Sequence, residues 1–219
     1  MNVNELNHNA MGLKDLLKKV KKEADALKGD AAKDKLYSND NTYPDAALAR
    51  EAFEQAKAKL FDVNRWSALP GINSTFALYD ATGNQLNKAV DAPGYYIKIE
   101  LPGPTPENWV QVTDVQVQEN LAEFTVRPSE KPQPEPAAEN VTEHFFTKDA
   151  SSTFRVELNG NTLVANEIGK NEVINNQGEE AGNRAVANTL IAEGGWAGFQ
   201  GLQWNKLTAY LVHKEDAQK

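Results

Sequence analysis

The middle of the chain alternates apolar and polar residues with a period of two, and this pattern constrains the fold more than any other feature. It predicts β-strands with one buried face. The predicted strands are residues 74–80, 95–101, 109–118, 121–127, 141–147, 152–158 and 162–168. Because they follow one another through short turns, we expect an antiparallel sheet of six or seven strands.

Two local features set the register of this sheet. In residues 109–118 the valines occupy even positions first and odd positions afterwards. One extra residue exchanges the two faces of a strand, so we predict a β-bulge near residues 113–114. Asn159-Gly160 lies between the last two strands, and this dipeptide favours the type I′ turn of a tight hairpin.

Helical periodicity replaces the strand pattern at both ends of the chain. Apolar residues recur every three to four positions in residues 11–27, 45–61 and 183–213, which predicts two N-terminal helices and a long C-terminal helix. Gly194 and Gly195 predict a kink in the last helix, because glycine costs about 1 kcal/mol relative to alanine in a helix. The predicted fold class is therefore α+β, with a curved antiparallel sheet packed against the terminal helices.

Polar segments give the expected domain organisation. Residues 30–43 are polar, so residues 1–43 are predicted to form a helix followed by a polar linker, and residues 44–219 a single α+β domain. Residues 128–139 contain four prolines and several charges, and cannot contribute to a core. This stretch is predicted to be a mobile loop within that domain.

The charge and the absence of cysteine exclude several functions. The formal net charge is −8, and an acidic chain repels phosphate backbones, so nucleic-acid binding is not expected. Without cysteine the chain has no disulfide, thiol nucleophile or cysteine-ligated metal. The sequence has neither a secretory leader nor a run of about 18 apolar residues, so we expect a cytoplasmic protein without a membrane span.

Catalytic and metal-binding motifs are not evident. The three histidines lack ligand spacing, and serine-nucleophile and phosphate-loop motifs do not occur, so no metal, cofactor or catalytic residue is predicted. His144 is expected to lie half exposed on a strand. Five carboxylates in the strand region could contribute to an acid–base pair: Asp80, Asp114, Glu157, Glu167 and Glu172. Their spacing does not mark two of them as a pair, so we expect them on solvent-exposed strand faces.

The aromatic residues give the one positive indication of a function. A curved sheet under a glycine-containing, aromatic-rich helix can enclose an apolar hollow, and ligand pockets are lined mainly by apolar and aromatic side chains. Such tryptophans also pack in ordinary cores, and Arg155 is expected either to anchor an anionic head group or to pair with a glutamate across the strands. The residues predicted to contact a ligand are Trp66, Tyr95, Trp109, Arg155, Trp196 and Phe199.

The order of these segments resembles that of the helix-grip domains of the START and polyketide-cyclase-like superfamily. The resemblance rests on residues 52–66, a helix ending in a Trp turn, on the strands within 76–168, and on the final helix at 183–211. It implies a cavity between sheet and terminal helix that binds a hydrophobic small molecule, and it implies no catalytic residue. That family begins with a strand, whereas residues 30–43 here are poor in β-formers, and the helix at 11–28 is additional.

Three functions remain open from the sequence. The favoured one is non-catalytic binding of a hydrophobic or amphipathic small molecule in a cavity between the sheet and the C-terminal helix. The second is a protein-interaction or scaffold role, in which the amphipathic N-terminal helix docks on a partner or forms a homodimer. The third is an acid–base enzyme that uses carboxylates in the same cavity.

Overall fold

The computed structural model describes residues 33–103, 105–134, 142–177, 181, 185, 187–188 and 196–217, and eight strands occur within these ranges. They are β1 (Lys33–Thr42), β2 (Thr75–Tyr79), β3 (Gln85–Leu86), β4 (Tyr96–Glu100), β5 (Asn108–Val117), β6 (Leu121–Pro128), β7 (Ser151–Asn159) and β8 (Thr162–Glu172). They form one antiparallel sheet in the order β1-β8-β7-β6-β5-β4-β2-β3. Helix α1 (Ala46–Phe61) and a 3₁₀ helix (Val63–Ala68) follow β1, and helix α2 (Trp196–Leu211) follows β8.

The predicted α+β class and several predicted details are confirmed. Between β5 and β6 the pairing passes from Val112 directly to Asp114, so the bulge lies at Thr113 as predicted. Strands β7 and β8 form the predicted hairpin, and Gly160 in its turn has φ of +61°. Asn159 pairs with Thr162, so the two central turn residues are Gly160 and Asn161. A positive φ at the first of them alone is the pattern of a type II′ turn, so the predicted type I′ turn is wrong.

Strand β1 corrects the prediction that residues 30–43 form a polar linker, which is wrong for residues 33–42. Its inner face carries Tyr37 among polar side chains, and two of these polar side chains hydrogen-bond the C-terminal end of the chain around α2. Asn39 Nδ2 donates to Thr208 Oγ1 at 2.9 Å, and Asn41 Nδ2 donates to the Val212 carbonyl at 3.0 Å. The helix-grip pattern begins with a strand, which the sequence does not predict here. Strand β1 occupies that position.

The predicted strand at 141–147 is wrong over the part that the structure describes. Only Phe146 forms a β-bridge there, with Ile174. Side-chain amides satisfy other backbone carbonyls: Asn175 Nδ2 donates to the carbonyls of Thr142 (3.1 Å) and His144 (3.2 Å). This segment therefore runs across the sheet end without joining the ladder.

Helix α1 begins where the sequence places it and buries an alanine-rich face. Asp45 caps it, accepting a hydrogen bond from the Leu48 amide at 2.9 Å. Leu48 does not belong to this face and is 46% exposed. The buried residues of the helix are Ala49, Ala52, Phe53, Ala56 and Leu60.

Ring contacts show how strongly the sheet curves. Phe76 of β2 and Phe154 of β7 are separated by three intervening strands, which in a flat sheet would place them about 19 Å apart. Both rings contact Trp66, with ring centres 5.6 and 5.0 Å away, and both also contact Trp204 of α2. The sheet therefore wraps around a core that α2 and the 3₁₀ helix complete.

Several sequence predictions fall outside the described residues. These are the helix at 11–27, the kink at Gly194-Gly195 and part of the proline-rich loop, which begins at Pro128 inside β6. Within the described part of the chain, no helix combines the length and hydrophobicity needed to cross a membrane.

Candidate functional site

A cavity lies between the inner face of the sheet and α2, and its wall is mostly aromatic and aliphatic. Its enclosed volume is about 40 Å³, whereas the empty space between the walls, counted out into open solvent, is about 630 Å³. A water molecule needs about 10–15 Å³ of enclosed space, so the closed cavity has room for a few waters. The apolar wall consists mainly of Trp66, Phe76, Ile97, Ile99, Val110, Val126, Phe145, Phe146, Phe154 and Trp204.

One side of the cavity is polar. Ser151, Ser152, His144, Glu172, Gln200 and Gln203 line it. Glu172, Gln200 and Gln203 are each no more than 3% exposed, so these polar groups are removed from bulk solvent. Buried polar groups are costly unless they are hydrogen-bonded, and their partners therefore decide what this wall can bind.

A bulge in β8 turns Glu172 into this wall. Inward-facing residues of β8 occupy odd positions up to Gly169, so strict alternation would place residue 172 outside. The pairing shifts by one residue there, and Asn171 adopts φ of +52°. Asp34 of β1 holds the bulge, accepting from the Asn171 amide at 3.1 Å and pairing with Lys170 at 2.9 Å.

Glycine at position 169 leaves the space that the Glu172 carboxylate occupies. A Cβ atom on Gly169 would lie 2.5 Å from Glu172 Oε1, closer than real Cβ contacts allow. The inward position of this carboxylate therefore depends on both the bulge and the missing side chain.

Lys35 and Gln200 engage Glu172 from two directions. The Lys35 ammonium lies 3.2 Å from Glu172 Oε2 and also donates to Gln200 Oε1. Gln200 Nε2 donates to Glu172 Oε1 at 2.9 Å. This network neutralises the Glu172 charge and uses both ends of the Gln200 amide.

Glu167 lies deeper, on the inner face of β8 between Phe154 and Tyr37 of the adjacent strands. It is 0% exposed, and neither carboxyl oxygen has a hydrogen-bond partner. Burial, with the negative charge of Glu172, raises the pKa of Glu167 to about 8, against smaller opposing effects of Ser152 and Lys35. At neutral pH the side chain is therefore mostly the uncharged acid.

Tyr37 of β1 separates Glu167 from α2. Burial first, and then the charges of Glu172 and Glu167, raises the pKa of Tyr37 to about 12. A Cβ on Gly201 of α2 would lie 3.4 Å from the Tyr37 ring, so glycine lets the helix approach β1 closely.

Gln203 and Trp204 provide unused hydrogen-bonding capacity at the cavity. Both amide atoms of Gln203 and the indole Nε1 of Trp204 are buried without a partner. Both residues line the cavity, and Gln203 is 2% exposed.

His144 is buried, contrary to the expected half-exposed position on a strand. It is 4% exposed and stacks on Phe145, with ring centres 4.2 Å apart. The Phe146 amide donates to His144 Nδ1 at 2.9 Å, so Nδ1 carries no proton and the ring is the neutral Nε2–H form.

Of the six residues predicted to contact a ligand, the structure places Trp66 on the cavity wall. The side chains of Trp196 and Phe199 lie outside the described part of the structure. Trp204, not predicted as a ligand contact, also lines the cavity.

The other three predicted residues are not brought to this cavity. Trp109 lies on the outer face of β5 against Tyr79, with ring centres 5.0 Å apart. Arg155, on the outer face of β7, pairs with Glu123 of β6 at 2.5 Å, which confirms the cross-strand pairing considered as its alternative. Tyr95 packs at the core margin, and its hydroxyl accepts from Lys88 at 2.9 Å.

The expected surface position of the strand carboxylates is wrong for Glu167 and Glu172, which are both buried. Among the described residues, no group of three or more potential ligands is placed to hold a metal ion.

Comparison with known proteins gives similarity to solved structures only. No protein-family model and no curated protein matches the sequence. A hypothetical protein from Helicobacter pylori has a TM-score of 0.46 at 14% identity, over 85% of this chain and 92% of that one. Norcoclaurine synthase from Thalictrum flavum, in complex with dopamine and hydroxybenzaldehyde, has a TM-score of 0.39 at 12% identity, over 98% and 99% of the two chains.

Major latex-like protein 151 from Panax ginseng has a TM-score of 0.36 at 10% identity, over 73% of this chain and 91% of that one. At TM-scores below 0.5, none of these similarities identifies a ligand or an activity for this chain. The fold assignment rests on the strand order described above.

Proposed function

We propose that this protein binds a hydrophobic or amphipathic small molecule in the cavity between the sheet and α2. The observation that carries the proposal is an aromatic cavity with a buried polar wall, part of which has no hydrogen-bond partner. Apolar pockets with a few polar groups are the usual form of small-molecule sites.

Binding requires the cavity to open. Ligand pockets usually measure about 300–1,000 Å³, and the enclosed volume here is about 40 Å³. Phe145 and residues of α2 line the cavity, and neither segment is a strand of the sheet. Movement of these segments away from the sheet would extend the cavity into the larger space at its mouth.

An NMR titration with 2-ethylnaphthalene tests this proposal. We expect saturable chemical-shift changes in ¹⁵N-labelled protein, concentrated at the residues that line the cavity. Val126→Leu adds a methylene to the cavity wall and should weaken binding roughly tenfold, because it occupies space the ligand needs.

The matched control is Val156→Leu, which makes the same change in a fully buried residue that is not on the cavity wall. It should keep wild-type affinity while losing about 1–3 kcal/mol of stability through overpacking. Absence of saturable binding, or equal affinities for V126L and the wild type, would refute the proposal.

Acid–base catalysis in the same cavity is a second candidate, favoured by the inward position and raised pKa of Glu167. Glu167 is buried beside the cavity and is not part of its wall, so a substrate would have to displace neighbouring side chains. Molecules retained through purification can be extracted from the wild type and from Glu167→Gln. A different chemical form recovered from the variant supports catalysis, and the same form from both supports binding alone.

An interaction role for the predicted helix at 11–27 remains a separate proposal, since that segment lies outside the described residues. Truncation to test it must end at residue 32, because β1 begins at Lys33. If the oligomeric state in solution is the same with and without residues 1–32, self-association through this helix is excluded.

A further inference from the structure

Gln203 is the polar side chain whose position most needs explanation. It lies on α2 in the same helical stripe as Leu207 and Tyr210, both buried in the core. Its amide faces the aromatic cavity without a hydrogen-bond partner, and the neighbouring Trp204 Nε1 is equally unpaired. An unpaired buried polar group costs about 1–3 kcal/mol, so a ligand that hydrogen-bonds these two side chains would gain affinity.

The unpaired atoms define what that group must offer. The Gln203 Nε2 and Trp204 Nε1 groups are donors, and Gln203 Oε1 is an acceptor. A matching group must therefore accept hydrogen bonds and also donate one. A hydroxyl group does both.

Charged groups fit this wall less well. A carboxylate has no proton to give to Gln203 Oε1, and it would meet Glu172 on the same wall. An ammonium group cannot accept a hydrogen bond, so the Gln203 and Trp204 N–H groups would stay unpaired. It would also compete with Lys35, which already neutralises Glu172.

We propose that the cavity selects a neutral, hydroxyl-bearing aromatic or alicyclic molecule, whose hydroxyl hydrogen-bonds Gln203 and Trp204 while its ring contacts the apolar wall. This inference rests on the proposed binding function and specifies its ligand class. The ring is expected to occupy the space that opens towards the mouth of the cavity.

Four naphthalene probes of nearly equal size test this selectivity: 2-naphthylmethanol, 2-ethylnaphthalene, 2-naphthoate and 2-naphthylmethylammonium. We expect 2-naphthylmethanol to bind about tenfold more tightly than 2-ethylnaphthalene, as one or two net hydrogen bonds would give. The two charged probes should bind more weakly than the alcohol.

The variant Gln203→Met keeps the side-chain length and removes the amide. It should reduce the advantage of the alcohol over 2-ethylnaphthalene to less than about threefold, while 2-ethylnaphthalene itself binds as in the wild type. Gln116→Met, at an exposed position of β5, is the matched control and should keep the full advantage.

The outcomes separate the two proposals. If none of the probes binds, the binding function fails. If 2-ethylnaphthalene binds as tightly as the alcohol, or Q203M keeps the advantage of the alcohol, only the hydroxyl selectivity fails. If the ammonium or carboxylate probe binds most tightly, the site selects a charged ligand and this inference is wrong.

Discussion

Glu167→Gln should stabilise the protein increasingly as the pH rises, because it replaces a buried acid with a neutral side chain of the same shape. Burial raises the pKa of Glu167 from 4.5 to about 8. The folded state therefore holds the Glu167 proton more tightly than the unfolded chain does. The stability that this group contributes is greatest below pH 4.5 and falls as the pH rises towards 8.

The size of the effect follows from the two pKa values. Each unit corresponds to about 1.4 kcal/mol. Relative to a side chain that does not titrate, the wild type should lose about 3 kcal/mol between acidic conditions and pH 7, and nearly 5 kcal/mol in total by pH 9. Between pH 5 and pH 9 the stability difference between E167Q and the wild type should therefore grow by about 4 kcal/mol.

Urea unfolding at pH 5, 7 and 9, followed by circular dichroism, measures this difference. Taking the difference between the two proteins cancels the titration of all groups that they share. Glu157→Gln, on the outer face of β7, controls for the change in net charge. A difference between E167Q and the wild type that stays constant from pH 5 to pH 9 would refute the argument.

Two further substitutions test features that support the site and the fold. Asn171 has φ of +52°, which glycine adopts without cost and alanine does not. The unfolding free energy of Asn171→Gly should therefore match or slightly exceed that of the wild type, whereas Asn171→Ala should lose about 1 kcal/mol. Equal stability of the two variants would contradict this. Burial lowers the pKa of His213, whose Nδ1 lies 2.8 Å from Lys59 Nζ and whose Nε2 lies 2.9 Å from the Ala52 carbonyl oxygen. The unfolded chain therefore binds the His213 proton more readily, and the unfolding free energy should fall as the pH drops through 6.5. The variant His213→Asn should show a shallower fall in the same urea titrations. An unchanged dependence of its unfolding free energy on pH would argue against this role of His213.

Most of the sheet is predictable from the sequence because its inner face is apolar and its neighbours are sequential. Strand β1 is not, because Asn39 and Asn41 stabilise it through hydrogen bonds to α2 rather than through apolar burial. The error at 141–147 has the opposite origin. Phe145 and Phe146 are apolar and buried, but Asn175 satisfies part of the backbone there in place of a neighbouring strand.

The period-two alternation already indicates that two of the residues predicted to contact a ligand do not face the cavity. Trp109 precedes the inward-facing Val110, and Arg155 precedes the inward-facing Val156, so both belong to the outer face by the period of two. Glu172 could not be found this way, because the bulge that turns it inward depends on Asn171 and on pairing with a distant strand. Gln203 leaves a signal in the sequence, as a polar residue within the apolar stripe of α2.

The pairing of β1 with β8 bears on the order in which the chain can fold. Lys35 and its hydrogen-bond partner Gln200 are 165 residues apart, and contacts between such distant residues form late and slow folding. While the chain is being synthesised, the aromatic inner surface of β6 and β7 is not covered by α2 until residues 196–211 have also left the ribosome. This nascent intermediate exposes the surface most prone to aggregation, so chaperones should contribute more to the yield of this protein than its final stability suggests.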